Sequence, residues 1–222
     1  GRRVLITAGG TREPLDPVRF LGNFSSGRQG IALAEAARDR GADVVLVAAH
    51  LEVPPPAGVE LIAVVTAEGM LEAVRREAAS ADLVIMAAAV ADYRPAVVAE
   101  AKLKKADLGD RVTLELIRNP DVLATIAAHR GRPDQVVVGF AAETEADRDR
   151  LLALGREKIA AKGADFLVLN EVGAAKGFGT PDTAVLVIDA AGHLVGEADG
   201  EKRSVADAIL DVVVPPDPAK EP

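Results

Sequence analysis

The chain has 222 residues, 49% hydrophobic but only 3% aromatic, and carries a formal charge of −8. That length suits one generous α/β domain, with a core filled by Ala, Val, Leu and Ile. The absence of Cys excludes disulfides, zinc–thiolate sites and a thiol nucleophile, and three scattered histidines (His50, His129, His193) argue against a His-based metal site.

An acidic chain of pI near 5.0 is a poor polynucleotide binder, although a local basic pocket still suits a small anion. No apolar run approaches membrane-spanning length and the N-terminus is not a signal peptide, so the expected location is the cytoplasm, with no membrane partner.

The first apolar run, Arg3 to Ala8, reads as a strand ending in Gly9-Gly10. Gly1-Arg2-Arg3 enters it abruptly, so the chain reads as a domain cut from a longer protein. A long polar loop with two prolines follows where a helix is expected. Gly27 to Arg40 has a helical pattern, closed by Gly41. Asp43 to Ala48 and Val59 to Val65 read as strands, and Thr66 as the N-cap of a helix over Ala67 to Ala79. Asp82 to Ala87 is a further strand.

Val90 to Ile117 breaks the rhythm with a loop, a lysine cluster and a strand over Arg111 to Ile117. A helix over Asp121 to Arg130, a strand over Gln135 to Phe140, a helix over Ala146 to Lys162 and a strand over Asp165 to Leu169 restore it. Thr183 to Gly196 reads as two strands about the turn Asp189-Ala190-Ala191-Gly192. Residues 215–222 read as a disordered tail. The strands lack clean alternation, as expected when both faces are buried. The expected fold is therefore α/β: a Rossmann-like three-layer sandwich with a mostly parallel sheet, a small antiparallel addition and a lysine-bearing flap.

Several motifs carry candidate chemistry. Gly9 and Gly10 let a phosphate approach the backbone or simply make a tight turn. Neither GxGxxG nor GxxxxGK[ST] is present, and His50 stands where a ribose-binding acid would close the second strand. In Asn23-Phe24-Ser25-Ser26-Gly27, either serine suits an ordinary N-cap, and the helix start suits an anion. Arg19 can clamp a carboxylate or phosphate, and Asn23 can donate to an oxygen that gains charge in acyl transfer.

Ala87-Ala88-Ala89 leaves ligand space at a strand end, and Asp92 is either a turn residue or a group that holds a phosphate-bridging cation or reads a base or ribose. Lys102, Lys104 and Lys105 form either a solvated run or a mobile flap. Asn119 and Asp121 are caps by default, and the exposed backbone beside them can read a base edge. Lys158 and Lys162 lie i, i+4 on one helix face, where an anion between them would relieve their repulsion.

These motifs, in one order from about residue 3 to 213, resemble the phosphopantothenoylcysteine synthetase (phosphopantothenate–cysteine ligase) family. The similarity runs through Gly9-Gly10-Thr11-Arg12-Glu13, Asp16-Pro17-Val18-Arg19, Asn23 to Gly27, Ala87 to Arg94, the three lysines, Asn119-Pro120-Asp121, Gly139 to Thr144, and Lys158 with Lys162. It implies a synthetase domain over 1–214. The implied reaction is CTP-dependent ligation of L-cysteine to 4′-phosphopantothenate in coenzyme A biosynthesis. An acyl-cytidylate is the intermediate; pyrophosphate and then CMP are released.

By resemblance, Asn23 contacts the phosphopantothenate carboxyl end, Arg19 helps build that pocket, Lys102 is the flap residue, and Ala88 must stay small. The anion site is implied at Gly9, Gly10, Ser25, Ser26 and Gly27. CTP is implied at Asp92, Lys102, the stretch Pro120, Asp121, Val122, Leu123, and at Phe140, Lys158 and Lys162. Mg²⁺ is implied on the CTP phosphates, with Asp92 as its one candidate protein ligand. The resemblance also implies a homodimer, and a flavin-dependent phosphopantothenoylcysteine decarboxylase domain N-terminal to this one in the full-length chain, so no flavin is expected here.

Two other readings share parts of the pattern. A nicotinamide-dependent reductase shares the alternating elements but lacks GxGxxG, and Tyr93 is the only tyrosine. A non-catalytic nucleotide sensor shares the CTP pocket but has no use for Arg19 and Asn23.

Overall fold

The computed structural model describes residues 1–104, 109–171 and 182–214. Lys105 and the segment 215–222 expected to be a disordered tail lie outside the described residues. In chain order the elements begin with β1 (Arg3–Ala8), a small hairpin of β2 (Arg12–Pro14) and β3 (Phe20–Gly22), and α1 (Arg28–Asp39). Then come β4 (Asp43–Ala48), β5 (Glu60–Ala63), α2 (Ala67–Ala78), β6 (Leu83–Met86), β7 (Tyr93–Pro95) and β8 (Leu116–Arg118). The chain continues through α3 (Val122–Ala128), β9 (Val136–Glu143), α4 (Arg148–Lys162) and β10 (Phe166–Glu171). It closes with β11 (Asp182–Asp189), β12 (Leu194–Glu201) and α5 (Lys202–Val213).

Eight strands form one sheet in the order β12-β11-β10-β9-β6-β1-β4-β5. The six from β10 to β5 are mutually parallel, and β11 and β12 are antiparallel additions. In chain order the parallel strands lie third, second, first, fourth, fifth, sixth, so the winding reverses between β1 and β6. At such a reversal two adjacent connections leave in opposite directions and open a crevice at the carboxyl ends.

The burial pattern explains why the strands do not alternate. On β1, Val4, Ile6 and Ala8 pack with α1 and α5 on one face. Leu5 packs with Met70 and Val74 of α2 and Ile126 of α3 on the other. Leu33 of α1 is fully buried; burial of such a side chain contributes about 1.5–3 kcal/mol. Thr66 caps α2 as expected, its hydroxyl accepting from Gly69 N at 3.1 Å. Gly41, at φ +83°, ends α1 through Gly41 N–H to Arg38 O and Ala42 N–H to Ala37 O.

Two expectations need correction. The strand expected over Arg111 to Ile117 is only Leu116–Arg118, paired with Tyr93–Pro95. Val112, Leu114, Leu116 and Ile117 do carry apolar side chains, but all four are exposed. Secondly, α5 follows β12 without a sequence-read expectation. Its Val205, Ala206, Ile209, Leu210 and Val213 form a buried helical stripe against α1 and the sheet. Among the described residues no helix is long and apolar enough to cross a membrane.

Gly30 marks the closest approach of α1 to β1. A Cβ there would lie 2.5 Å from Ala8 Cβ and 2.9 Å from Thr7 O. Helix propensity alone would make Gly30→Ala stabilising by up to about 1 kcal/mol. Overpacking reverses the sign, and urea unfolding of Gly30→Ala is expected to show a loss of about 1–3 kcal/mol. An unchanged or raised midpoint would contradict this packing.

Candidate active site

The carboxyl ends of β6, β9 and β10 open into one cleft of about 990 Å³, the upper end of the range for small-molecule sites. The segment Gly22 to Gly30 forms one wall, Met86 to Tyr93 a second, and Arg118 to Leu123 a third. Phe140, Lys158 and Lys162 close the far side.

Buried hydroxyls and amides set these walls. Thr7 Oγ1 accepts from Ala88 N at 3.1 Å and Thr11 Oγ1 from Ala91 N at 2.9 Å. Both threonines are almost fully buried, so each holds one point of the Ala88–Ala91 loop. Asn119, also buried, donates from Nδ2 to Ala91 O at 2.8 Å and accepts from Arg94 Nη1 at 2.9 Å. Its backbone N–H donates to Asp92 O, so two cleft walls are tied together. Glu13 Oε1 accepts from Ala67 N at 2.9 Å, so a buried carboxylate sits at the positive end of α2.

The start of α1 differs from the serine-capped helix considered from sequence. Gly27 is the N-cap, in the left-handed region at φ +77°, and no side chain caps the first turn. Ser25 Oγ instead accepts from Gly27 N at 3.4 Å, too early to serve the helix amides. Gly27 must be glycine twice over, since a Cβ would also meet Leu51 Cδ2 at 2.3 Å. The first-turn amides therefore keep their donor capacity at the cleft wall, next to the positive end of the helix dipole.

The structure brings together most of the residues singled out from sequence. Asn23, Ser25, Ser26, Gly27, Ala88, Asp92, Pro120, Asp121, Val122, Leu123, Phe140, Lys158 and Lys162 all line the one cleft. Asn23 is exposed at its rim, with Nδ2 3.3 Å from Val90 O. Asp121 caps α3, accepting from Ala124 N at 3.0 Å.

Four residues are placed elsewhere. Gly9 and Gly10 are buried behind the wall, where their backbones bridge to Ala89 and His50. Gly10 lets the Asn23–Ser25 loop pass, since a Cβ would lie 3.0 Å from Asn23 O. Lys102 is exposed and outside the lining, as is Arg19. Arg19 is already committed: its Nε and Nη2 donate to Asp16 Oδ2 at 3.0 and 2.6 Å, and Nη2 also donates to Leu103 O at 2.6 Å.

The lysine pair is also corrected. Lys158 ion-pairs with Glu143, and Lys162 with Asp121. Each positive charge has its own carboxylate, so the i, i+4 repulsion does not stand uncompensated.

The parts played by four residues escaped the sequence reading. Asp16 is buried and accepts from Val18 N, Arg19 N and Leu103 N as well as from the Arg19 guanidinium. Its i, i+3 spacing to Arg19 was the available signal. Gln29, Asn170 and Lys202 also line the cleft, and nothing local in the sequence marks them.

A doubly wound α/β domain with a wide cleft at its crossover is the class of fold that places a ligand site at the carboxyl edge of the sheet. The chain belongs to the family described as the DNA/pantothenate metabolism flavoprotein C-terminal domain, whose model matches residues 1–215. It is 46% identical over 219 residues to the coenzyme A biosynthesis bifunctional protein CoaBC of Mycobacterium bovis, covering 96% of this chain and 52% of that protein. The CoaBC of Vibrio cholerae is 47% identical over 187 residues, covering 83% and 45%. The chain thus spans about half the length of the curated relatives it matches. A crystal structure of the C-terminal domain of CoaBC superposes with a TM-score of 0.76 at 37% identity, covering 95% of this chain and 93% of that one. A Cab2 variant in complex with phosphopantothenate-cysteine shares the fold, at TM-score 0.73 and 19% identity over 96% of this chain and 85% of that one.

The Asp16 contacts generate a test of the flap attachment. The Arg19 guanidinium chiefly, with the Val18, Leu103 and Arg19 amides, holds the Asp16 carboxyl far below the usual carboxylate range, and burial opposes this only in part. A carboxyl lowered in the folded state adds stability above its unfolded value, near 3.9, which is lost as pH falls through the folded value. The Leu103 amide is therefore expected to stay protected from hydrogen exchange between pH 7 and about pH 4. Asp16→Asn is expected to speed that exchange by about tenfold or more at neutral pH. Equal exchange in the two proteins would show that Asp16 does not anchor this segment.

Proposed function

We propose that the chain ligates L-cysteine to 4′-phosphopantothenate at the expense of CTP, as an acid–amino-acid ligase of coenzyme A biosynthesis. The observation that carries this reading is one cleft in which the uncapped start of α1, the Asn23 amide and the lysines of α4 converge. Membership of a family whose relatives include the CoaBC proteins supports it.

A free carboxylate is a poor electrophile. Attack of the 4′-phosphopantothenate carboxylate on the α-phosphorus of CTP breaks the α–β bridge, releases pyrophosphate and gives an acyl-cytidylate. The cysteine amine then attacks that carbonyl, loses a proton and expels CMP. In this scheme the Asn23 amide faces the carboxyl end and donates to the oxygen that gains charge. Ala88 leaves room where that end lies. Ser25, Ser26, Gly27 and the α1 amides meet the phosphates. Lys158 and Lys162 turn from their carboxylates toward the nucleotide, and backbone groups of Pro120 to Leu123 read the cytosine beside Phe140.

Among the described residues no three of His, Cys, Asp or Glu gather as a metal site. Magnesium would accordingly take most of its ligands from the triphosphate, with the exposed Asp92 beside it; when bound it neutralises phosphate charge. Lys102 and Lys104 sit beside the Leu103 anchor, so Arg19 acts through the flap as a positioning residue. A flavin-dependent decarboxylase domain precedes this one in the proposed full-length protein, which acts in the cytoplasm, and this domain carries no flavin.

The exposed apolar side chains of Val97, Val98, Val112, Leu114, Leu116 and Ile117 cluster on and beside the β7–β8 hairpin. A second copy covering them gives the proposed homodimer.

Pyrophosphate release with Mg²⁺, CTP and 4′-phosphopantothenate is the direct test of the reaction. Turnover is expected to require CTP and to rise with cysteine; Asn23→Ala is expected to lose about 10²-fold or more in kcat. CTP binding with no pyrophosphate release would leave a nucleotide sensor instead. For the assembly, sedimentation is expected to give a dimer that Ile117→Glu converts to monomer. A monomeric parent chain would contradict the proposed interface.

A further inference from the structure

We propose that Lys202, with Gln29 and Asn170, forms a subsite for the terminal phosphates of the nucleotide, and so for the pyrophosphate that leaves. This rests on the nucleotide reading above, and adds a group that comes from outside the strand-end motifs.

The placement follows from topology. β11 runs against the parallel strands and β12 runs with them, so β12 ends at the same edge as β1 and β6. Helix α5 begins there and packs beside α1. Two helix starts therefore meet at one side of the cleft, each opening with a cation, Arg28 on α1 and Lys202 on α5.

Lys202 is only 8% exposed and still lines the cleft. Its Nζ donates to Asp182 O at 3.2 Å. Burial pushes its ammonium below the ordinary lysine range, the nearby Arg28 adds to this, and Asp182 opposes it. The nearly buried ammonium and the neighbouring Arg28 guanidinium put two positive charges at this side of the cleft, which suits a multiply charged anion.

Two neutral donors stand with it. Both amide atoms of Gln29, in the first turn of α1, are buried without a hydrogen-bond partner among the described residues. Buried amides normally have partners, so this one points to an occupant. The Thr183 hydroxyl donates to Asn170 Oδ1 at 2.9 Å, leaving the Asn170 amide nitrogen as the end for another acceptor. A cation, two amides and a helix start together suit an anion with several oxygens and more than one charge. A nucleoside monophosphate, whose single phosphate sits nearer the reacting carboxylate, would not reach them.

The test compares CTP, CMP and inorganic pyrophosphate by calorimetry on the intact chain with Mg²⁺. Lys202→Gln is expected to weaken CTP and pyrophosphate roughly 10- to 100-fold, while CMP stays within about twofold. Equal losses for CTP and CMP, or an unchanged CTP affinity, would overturn the subsite. If Lys202→Gln fails to fold, the unaltered chain decides. Pyrophosphate is expected to displace CTP yet to bind alongside CMP; displacement of CMP, or no pyrophosphate binding, would overturn the proposal. A parent chain that binds neither CTP nor CMP would instead remove the nucleotide reading, and this inference with it.

Discussion

A parallel sheet covered by helices on both faces has no polar surface of its own. Val4, Ile6 and Ala8 are sealed against one layer and Leu5 against the other, so β1 offers a ligand nothing along its length. Chemistry is confined to the edge where the strands stop. There the backbone must leave the ladder, and its polar groups need partners. Thr7, Thr11 and Asn119 supply them from buried positions, which makes the cleft walls part of the folded core rather than loose loops. The same constraint accounts for the glycines: at Gly10, Gly27 and Gly30 a Cβ would strike backbone or core atoms.

The long connection after β1 resolves into two jobs. Its first part is a hairpin, with Arg12 stacked 4.4 Å above the Phe20 ring. At its turn the buried Asp16 gathers Arg19 and the Leu103 amide. Its second part delivers Asn23 to the rim and leaves α1 without a side-chain cap. A serine cap would have satisfied an amide at the cost of a ligand site. Gly27 in the left-handed region keeps those donors available at the cleft.

Periodicity made most of the core legible. The six parallel strands were readable as apolar runs, and α1, α2, α3 and α4 as helical patterns between them. Where reading failed, the cause was physical. The Arg111 to Ile117 alternation is real, but Val112 and Leu114 face away from this chain's core, so alternation was mistaken for a ladder. Helix α5 begins at Lys202 directly where β12 ends at Glu201, and these two charged residues mask the start of its apolar stripe. At the site, motifs identified which loops matter but not which side chains were already spoken for. Arg19 and the α4 lysines carry the charges expected of anion binders, yet Asp16, Glu143 and Asp121 hold them in this state. The carboxylates that hold the α4 lysines lie far from them in sequence and emerge only once the strands are ordered, whereas Asp16 lies three residues from Arg19. Lys202 is the extreme case, since its place in the cleft depends on two antiparallel strands turning the chain back to the carboxyl edge.

Those ion pairs bear on how an acidic chain would hold an anionic nucleotide. A phosphate arriving at Lys158 or Lys162 exchanges one anion for another, and both lysines are part-exposed and screened. The net gain there is small, and it comes with the carboxylates of Glu143 and Asp121 released nearby. Lys202 differs in being nearly buried, with its Nζ already donating to Asp182 O. Under the proposed function, the α4 lysines would mainly set where the nucleotide lies along the cleft, while the uncapped α1 amides and Lys202 would meet its phosphates.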